Sequence, residues 1–239
     1  MMMSAERTAI VTGASGGIGS GLVEGFRHEG YNVVATSLHA GSSLSPSPGL
    51  AFVDGDIGKL ETAERVVKEA LAKFGTIDVL VNNAGIFRKK VFTDYTAEDF
   101  NALASTNLLG FLFITQLAVK QMLQQGSGNV VTISASLADH PIAGENASVS
   151  MMTKGGLNSV TRNLAMEYAK QGIRFNAVAP GAVATSLQKG DPADALNRSP
   201  MGTFVAVEDI VQAVLYLAKA GQVTGEVLHV DGGAHVGRW

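Results

Sequence analysis

The sequence predicts an α/β fold, a parallel sheet covered by helices. Three observations point there. A β-branched run, Thr8 to Thr12, passes at once into the glycine-rich turn Gly13-Ala14-Ser15-Gly16-Gly17-Ile18-Gly19 and then into a helical pattern. Short apolar runs alternate with helical runs along the rest of the chain. Those runs are apolar on both faces and joined by short loops, as strands buried beneath helices must be.

Taken in order, the first helix carries Leu22, Val23 and Phe26 on one face and stops at Gly30, and Tyr31 to Thr36 reads as the second strand. Ser42 to Gly49, rich in Ser, Pro and Gly, is expected to be a loop. Leu50 to Val53 makes a third strand. Leu60, Ala63, Val66, Val67, Ala70, Leu71 and Phe74 follow at helical spacing, with Gly75 as the stop. Val79-Leu80-Val81 is a strand that ends in the polar turn Asn82-Asn83-Ala84-Gly85, and a helix is expected from near Glu98 to Leu123. Asn129 to Ile133 is the next strand. After a loop from Ser136 to Ser148, a helix carries Lys154, Leu157, Val160, Thr161, Leu164 and Tyr168. Ile173 to Ala179 is a strand ending in Pro180-Gly181, and from Ala182 to Val205 the periodicity fades into a connector expected to act as a lid. Glu208 to Ala220 forms the last helix and Val227 to Val230 the last strand. No repeat or break in composition divides the chain, so residues 1–239 read as one domain.

Composition excludes several kinds of chemistry. Without cysteine there is no disulfide framework, thiolate nucleophile or Cys-ligated metal, which fits a reducing cytoplasm, and no metal site is expected. A formal charge of −3 lacks the basic excess that phosphate-backbone binding needs, so nucleic acid is not expected as a partner. The apolar runs are far shorter than the roughly 20 residues that span a bilayer, so no membrane partner is expected either. The 28 glycines are well above the usual ~7% of a chain, and point to backbone shaped for turns and close approach.

The glycine cluster lies where a strand feeds a helix, so N–H groups and the positive end of the helix dipole can receive a pyrophosphate. Its spacing is Gly13-x₃-Gly17-x-Gly19, which differs from the general dinucleotide fingerprint. Thr12 to Gly19, Asn82-Asn83-Ala84-Gly85, the segment from Pro180-Gly181 to Thr185, and Val223-Thr224-Gly225-Glu226 through Val230-Asp231-Gly232-Gly233 together resemble the compact one-domain members of the short-chain dehydrogenase/reductase family. The resemblance runs the length of the chain. It implies a Rossmann-type, doubly wound, seven-stranded parallel sheet, NAD or NADP at the carboxyl ends of the strands, and a homo-oligomer, tetramer or dimer.

By that resemblance the cofactor-binding positions are Gly13, Ser15, Gly17, Ile18 and Gly19 in the turn, Asp56 with Ile57 at the adenine, and Asn83, Ala84 and Gly85 after the fourth strand. Pro180, Gly181, Val183 and Thr185 fall on the nicotinamide side. An acid after the second strand would bind the 2′-hydroxyl and an arginine a 2′-phosphate. Here Ser37-Leu38-His39 occupies the place, which tilts the choice toward NADP, with Ser37 and His39 as phosphate contacts.

Hydride transfer to a carbonyl creates an alkoxide that must receive a proton. The family resembled here meets that need with Asn, Ser, Tyr and Lys. Asn107 matches its asparagine and Lys154 its ribose-holding lysine, while the serine is Ser134 or Ser136, with Ser136 preferred. The tyrosine should stand four residues before the lysine, and that position is Ser150. Tyr31, Tyr95, Tyr168 and Tyr216 all miss it. A serine hydroxyl is a much weaker acid and a shorter side chain than a phenol of pKa about 10. His140, in the loop that would rim the cleft, is a candidate replacement, because a histidine side chain of unperturbed pKa near 6.5 is suited to donating a proton. Two readings follow: an NAD(P)-dependent oxidoreductase acting on a small alcohol or carbonyl compound with an altered proton donor, or a nicotinamide-cofactor-binding protein without catalysis.

Overall fold

The computed structural model describes residues 7–43, 47–185 and 199–237. The strands are β1 (Thr8–Thr12), β2 (Asn32–Ser37), β3 (Leu50–Asp54), β4 (Val79–Asn82), β5 (Gly128–Ile133), β6 (Ile173–Pro180) and β7 (Val227–Val230). The helices are α1 (Gly17–His28), the short α2 (Ala40–Ser43), α3 (Leu60–Phe74), α4 (Ala97–Leu103), α5 (Gly110–Gln125), α6 (Ser148–Tyr168) and α7 (Val207–Lys219). The expected strands and long helices are all present, with ends moved by a residue or two. The stretch from Ser42 to Gly49, expected as loop alone, overlaps the end of α2.

The seven strands form one sheet in the order β3-β2-β1-β4-β5-β6-β7, and every pair is parallel. Strands such as β1 and β4 are buried along their whole length because helices cover both faces. On one face Leu22, Val23 and Phe26 of α1 pack with Ile210, Val214 and Leu217 of α7. On the other, Ala63, Val66 and Ala70 of α3 pack with Ile114, Ala118 and Met122 of α5. From β1 the chain winds outward to β2 and β3, then returns to β4 on the other side of β1. That reversal opens a crevice at the carboxyl ends of β1 and β4, where an open parallel sheet binds its ligand.

Between α4 and α5 the helix widens into one π turn, Ala104–Leu109. The continuous helix from Ala97 to Gln125 is long and apolar enough to cross a membrane, but its buried face, including Leu103, Ile114 and Met122, forms part of the core. The base of the expected lid is closed by a bridge between Val183 and Val205. Residues 186–198 of that lid lie outside the described residues.

Candidate active site

On the cofactor side, β1 delivers Thr12 to the crevice, where its hydroxyl accepts from the N–H groups of Asn83 and Ala84, both at 3.0 Å. The Asn83 amide donates to the carbonyls of Thr12 (2.8 Å) and Gly13 (3.1 Å), tying the glycine turn to the turn after β4. A side chain at Gly13 would sit 2.8 Å from the Ala84 Cα, in a backbone at φ +67° that also disfavours one. A side chain at Gly19 would lie 2.0 Å from the Gly13 carbonyl oxygen. The turn is closed because these glycines carry nothing. Helix α1 begins at Gly17, with no side-chain cap and no acid in its first turn, so its N-terminal dipole is free to meet an anion. Thr185, beyond β6, comes within 3.4 Å of where a Gly17 side chain would start, which places both rims of the crevice opposite one another.

Other expected cofactor positions lie at or just beyond the carboxyl ends of β2, β3 and β6. Asp56 accepts the Gly58 N–H at 2.9 Å in a tight turn, and Ile57 is buried against Gly110. Ser37, at the end of β2, accepts the His39 N–H at 3.2 Å. Asp54, its partner in β3, turns its carboxylate to the Gly41 N–H at 3.0 Å. Gly181 packs against Asp231, where an added side chain would meet the Asp231 Cα at 2.8 Å. A crevice closed by bare glycines beneath a free helix N-terminus fits a dinucleotide, whose diphosphate needs close backbone approach.

Two of the expected catalytic positions, Lys154 and Asn107, meet at Gly85. Lys154 Nζ and Asn107 Oδ1 lie 3.2 and 3.3 Å from the place a Gly85 side chain would occupy. The π turn carries Asn107 inward, where its amide donates to the Ile86 carbonyl and the Thr153 hydroxyl, both at 3.0 Å, and accepts the Ile86 N–H at 2.8 Å. Lys154, on α6, donates to the Ile133 carbonyl at 2.7 Å, and burial lowers its pKa to about 8. Ser134 turns its hydroxyl toward the Lys154 carbonyl at 3.4 Å. Ser136 is buried at the start of a short 3₁₀ turn after β5.

Ser150 is fully buried, and its hydroxyl makes two hydrogen bonds at 2.9 Å, donating to the Arg88 carbonyl and accepting the Arg88 N–H. The Tyr95 phenol donates to that same carbonyl at 2.7 Å. Arg88 is further held by ion pairing to Asp99, which also binds Lys90 and caps α4 through Thr96.

A family model described as enoyl-(acyl carrier protein) reductase matches residues 13–235. The chain is 36% identical to human L-xylulose reductase over 241 residues, 96% of each chain. It is 34% identical to the L-rhamnose 1-dehydrogenase (NAD(P)(+)) of Sphingomonas sp. over 252 residues, 99% of each. The chain belongs to the short-chain dehydrogenase/reductase family. A 3-ketoacyl-(acyl-carrier-protein) reductase from Brucella melitensis complexed with NADH superposes with a TM-score of 0.90 at 30% identity, covering 97% of this chain and 100% of that one. Membership makes the protein an oxidoreductase of the NAD(P)-dependent kind, with NAD or NADP as its cofactor class.

Within this reductase fold, sequence reasoning missed two features. Tyr95 is distant from Ser150 in the chain, and only the fold puts both on one carbonyl. His229 on β7 and His235 beyond it join His140, with ring centroids 5.2 Å (His140–His229), 5.5 Å (His140–His235) and 4.2 Å (His229–His235) apart. The one signal available beforehand was two histidines flanking Asp231-Gly232-Gly233.

Proposed function

We propose that this protein transfers a hydride between a nicotinamide cofactor and a small alcohol or carbonyl compound, using a proton donor other than a tyrosine at position 150. The observation that carries this reading is the meeting of Lys154 and Asn107 at Gly85 beside the glycine cradle. The bound cofactor supplies the hydride. Gly13, Ser15, Gly17, Ile18 and Gly19 cradle its diphosphate, with Asp56 and Ile57 at the adenine and Asn83, Ala84 and Gly85 along the crevice floor. Lys154 holds the nicotinamide ribose, while Pro180, Gly181, Val183 and Thr185 wall the nicotinamide. The positions after β2 are Ser37 and His39 rather than an acid that would bind a 2′-hydroxyl, which supports NADP.

In the reduction direction, Ser136 donates a hydrogen bond to the substrate carbonyl and so stabilises the developing alkoxide. Ser134 is turned to the α6 backbone, which supports the choice of Ser136. Asn107 fixes the wall between Ile86 and α6. His140, whose backbone N–H donates to the Ser136 carbonyl at 3.0 Å, gives the proton from its imidazole ring. Ser150, a catalytic candidate by its place before Lys154, instead latches α6 to Arg88. The chain works as one domain, with residues 182–205 as the lid, in a cytoplasmic homo-oligomer.

The decisive experiment measures NADPH and NADH binding by calorimetry, then screens carbonyl compounds and alcohols for hydride transfer. Turnover that is lost in His140→Gln with cofactor affinity retained is the expected result. Binding without turnover across the screen would favour the second reading, a cofactor-binding protein without catalysis, which the engaged Ser150 hydroxyl supports. No binding at all would sink both.

A further inference from the structure

Three of the five histidines, His140, His229 and His235, meet beside the crevice although they come from different parts of the chain. His140 stands one turn beyond Ser136. His229 lies opposite Ala179 in the sheet, and Asp231 packs on Gly181. The cluster therefore touches both the loop after β5 and the segment after β6.

Two carboxylates face the trio. Asp231 is buried and lies 2.9 Å from His235 Nδ1, while also accepting the backbone N–H groups of Gly233 and His235 at 3.0 Å. A carboxylate so placed holds the proton on Nδ1 and leaves Nε2 as the exchanging nitrogen. Asp139 Oδ2 lies 3.7 Å from His229 Nε2 and accepts the Asn158 amide at 2.8 Å. His229 Nε2 and Asn158 Oδ1 are both buried without a hydrogen-bond partner. A buried nitrogen without a partner carries a desolvation cost that calls for an explanation, and a role in proton exchange is one. Burial, with His235 beside it, pushes the His229 imidazole below its ordinary pKa, against the pull of Asp231. Three imidazoles and two acids also suggest a metal. Among the described residues, however, no three such groups are arranged around a common ion position.

We propose that His140, His229 and His235 form a proton relay that reloads His140 from solvent, a role resting on the reading of His140 as proton donor. In the reduction direction hydride from NAD(P)H adds to the carbonyl carbon, the C=O π pair becomes an alkoxide, and the His140 N–H bond breaks as its proton goes to that oxygen. His140 is left neutral. Its proton is restored from His229 and His235 by way of bridging water, since the His229 and His235 rings are stacked and His140 stands edge-on to His229, with no direct hydrogen bond between the rings. His235, with 31% of its side chain exposed against 15% for His229, is the solvent end. Oxidation runs the same path in reverse. His229 and His235 act through His140 and are positioning residues.

The test uses the full-length protein with labelled histidine, titrated by NMR from about pH 5 to about pH 8. Coupled imidazole titrations, with the His140 midpoint moved in His235→Gln, are expected; three independent ordinary titrations overturn the relay. In turnover, His229→Gln and His235→Gln are expected to lower kcat about tenfold with KM unchanged, and added imidazole buffer to restore it. If His140→Gln abolishes turnover while the other two variants leave kcat and its buffer dependence untouched, the relay is wrong and the donor assignment stands. If His140→Gln has no effect, the donor assignment falls and the relay with it. Tight zinc binding lost in His235→Gln would make the cluster a metal site and also overturn the relay.

Discussion

Replacing Ser150 separates a structural hydroxyl from a chemical one. In Ser150→Ala the Arg88 carbonyl keeps the Tyr95 phenol, but the Arg88 N–H loses its 2.9 Å acceptor. An unsatisfied buried donor costs about 1–3 kcal/mol, and partial solvent access at Arg88 sets the expectation in the lower half of that range. For a chain of this size that is a fall in Tm of roughly 3–6 °C. Ser150→Tyr loses the same latch and adds a ring to a fully buried position, for about 1–3 kcal/mol more. Urea unfolding gives the free energies, and calorimetric titration with NADPH checks that the crevice is intact. The double variant Ser150→Ala/Tyr95→Phe removes both donors from the Arg88 carbonyl and should cost more than the two single changes together. Were Ser150→Ala to leave the unfolding midpoint unchanged while abolishing hydride transfer with normal cofactor affinity, the latch reasoning would be refuted.

Three further outcomes follow from the same geometry. Gly19→Ala puts a methyl 2.0 Å from the Gly13 carbonyl, so the turn must open, and NADPH affinity by calorimetry should fall at least tenfold, which is about 1.4 kcal/mol. Lys154 has a folded-state pKa of about 8 against an ordinary 10.5, so between those values the unfolded chain binds more protons and stability rises with pH. Relative to Lys154→Met, the wild type should gain up to about 3 kcal/mol over that window in urea unfolding, and a flat difference would show the ammonium to be solvated. Asp99 is held well below the usual carboxylate range, first by Lys90 and then by the Thr96 backbone. Its stabilisation is present above the ordinary value of 3.8 and lost as pH falls toward the lowered one, so Asp99→Asn should unfold more easily at pH 7 and differ less from wild type at low pH.

The order of strands and helices was legible from alternation alone, because burial on both faces demands continuous apolar strands and a helix over each crossover. The cofactor cradle was legible for a related reason. Gly13 and Gly19 stand where any side chain would collide with backbone, so the chain must show glycine there. Lys154 and Asn107 could be named from local motifs. Their meeting at Gly85 depends on the π turn, which no periodicity announces.

What the amino-acid order by itself determined was the parallel α/β architecture, the nucleotide turn and the absence of a tyrosine four residues before Lys154. These are local matters of periodicity, close approach and residue identity. Tertiary structure alone decided what Ser150 does and where the histidines go. The Ser150 hydroxyl faces Arg88, 62 residues away in the chain, and His140 meets His229 and His235 across the carboxyl end of the sheet. Hydrogen bonds and ring contacts depend on distance in space, and in a wound parallel sheet the strands that lie side by side are separated by whole crossovers of chain.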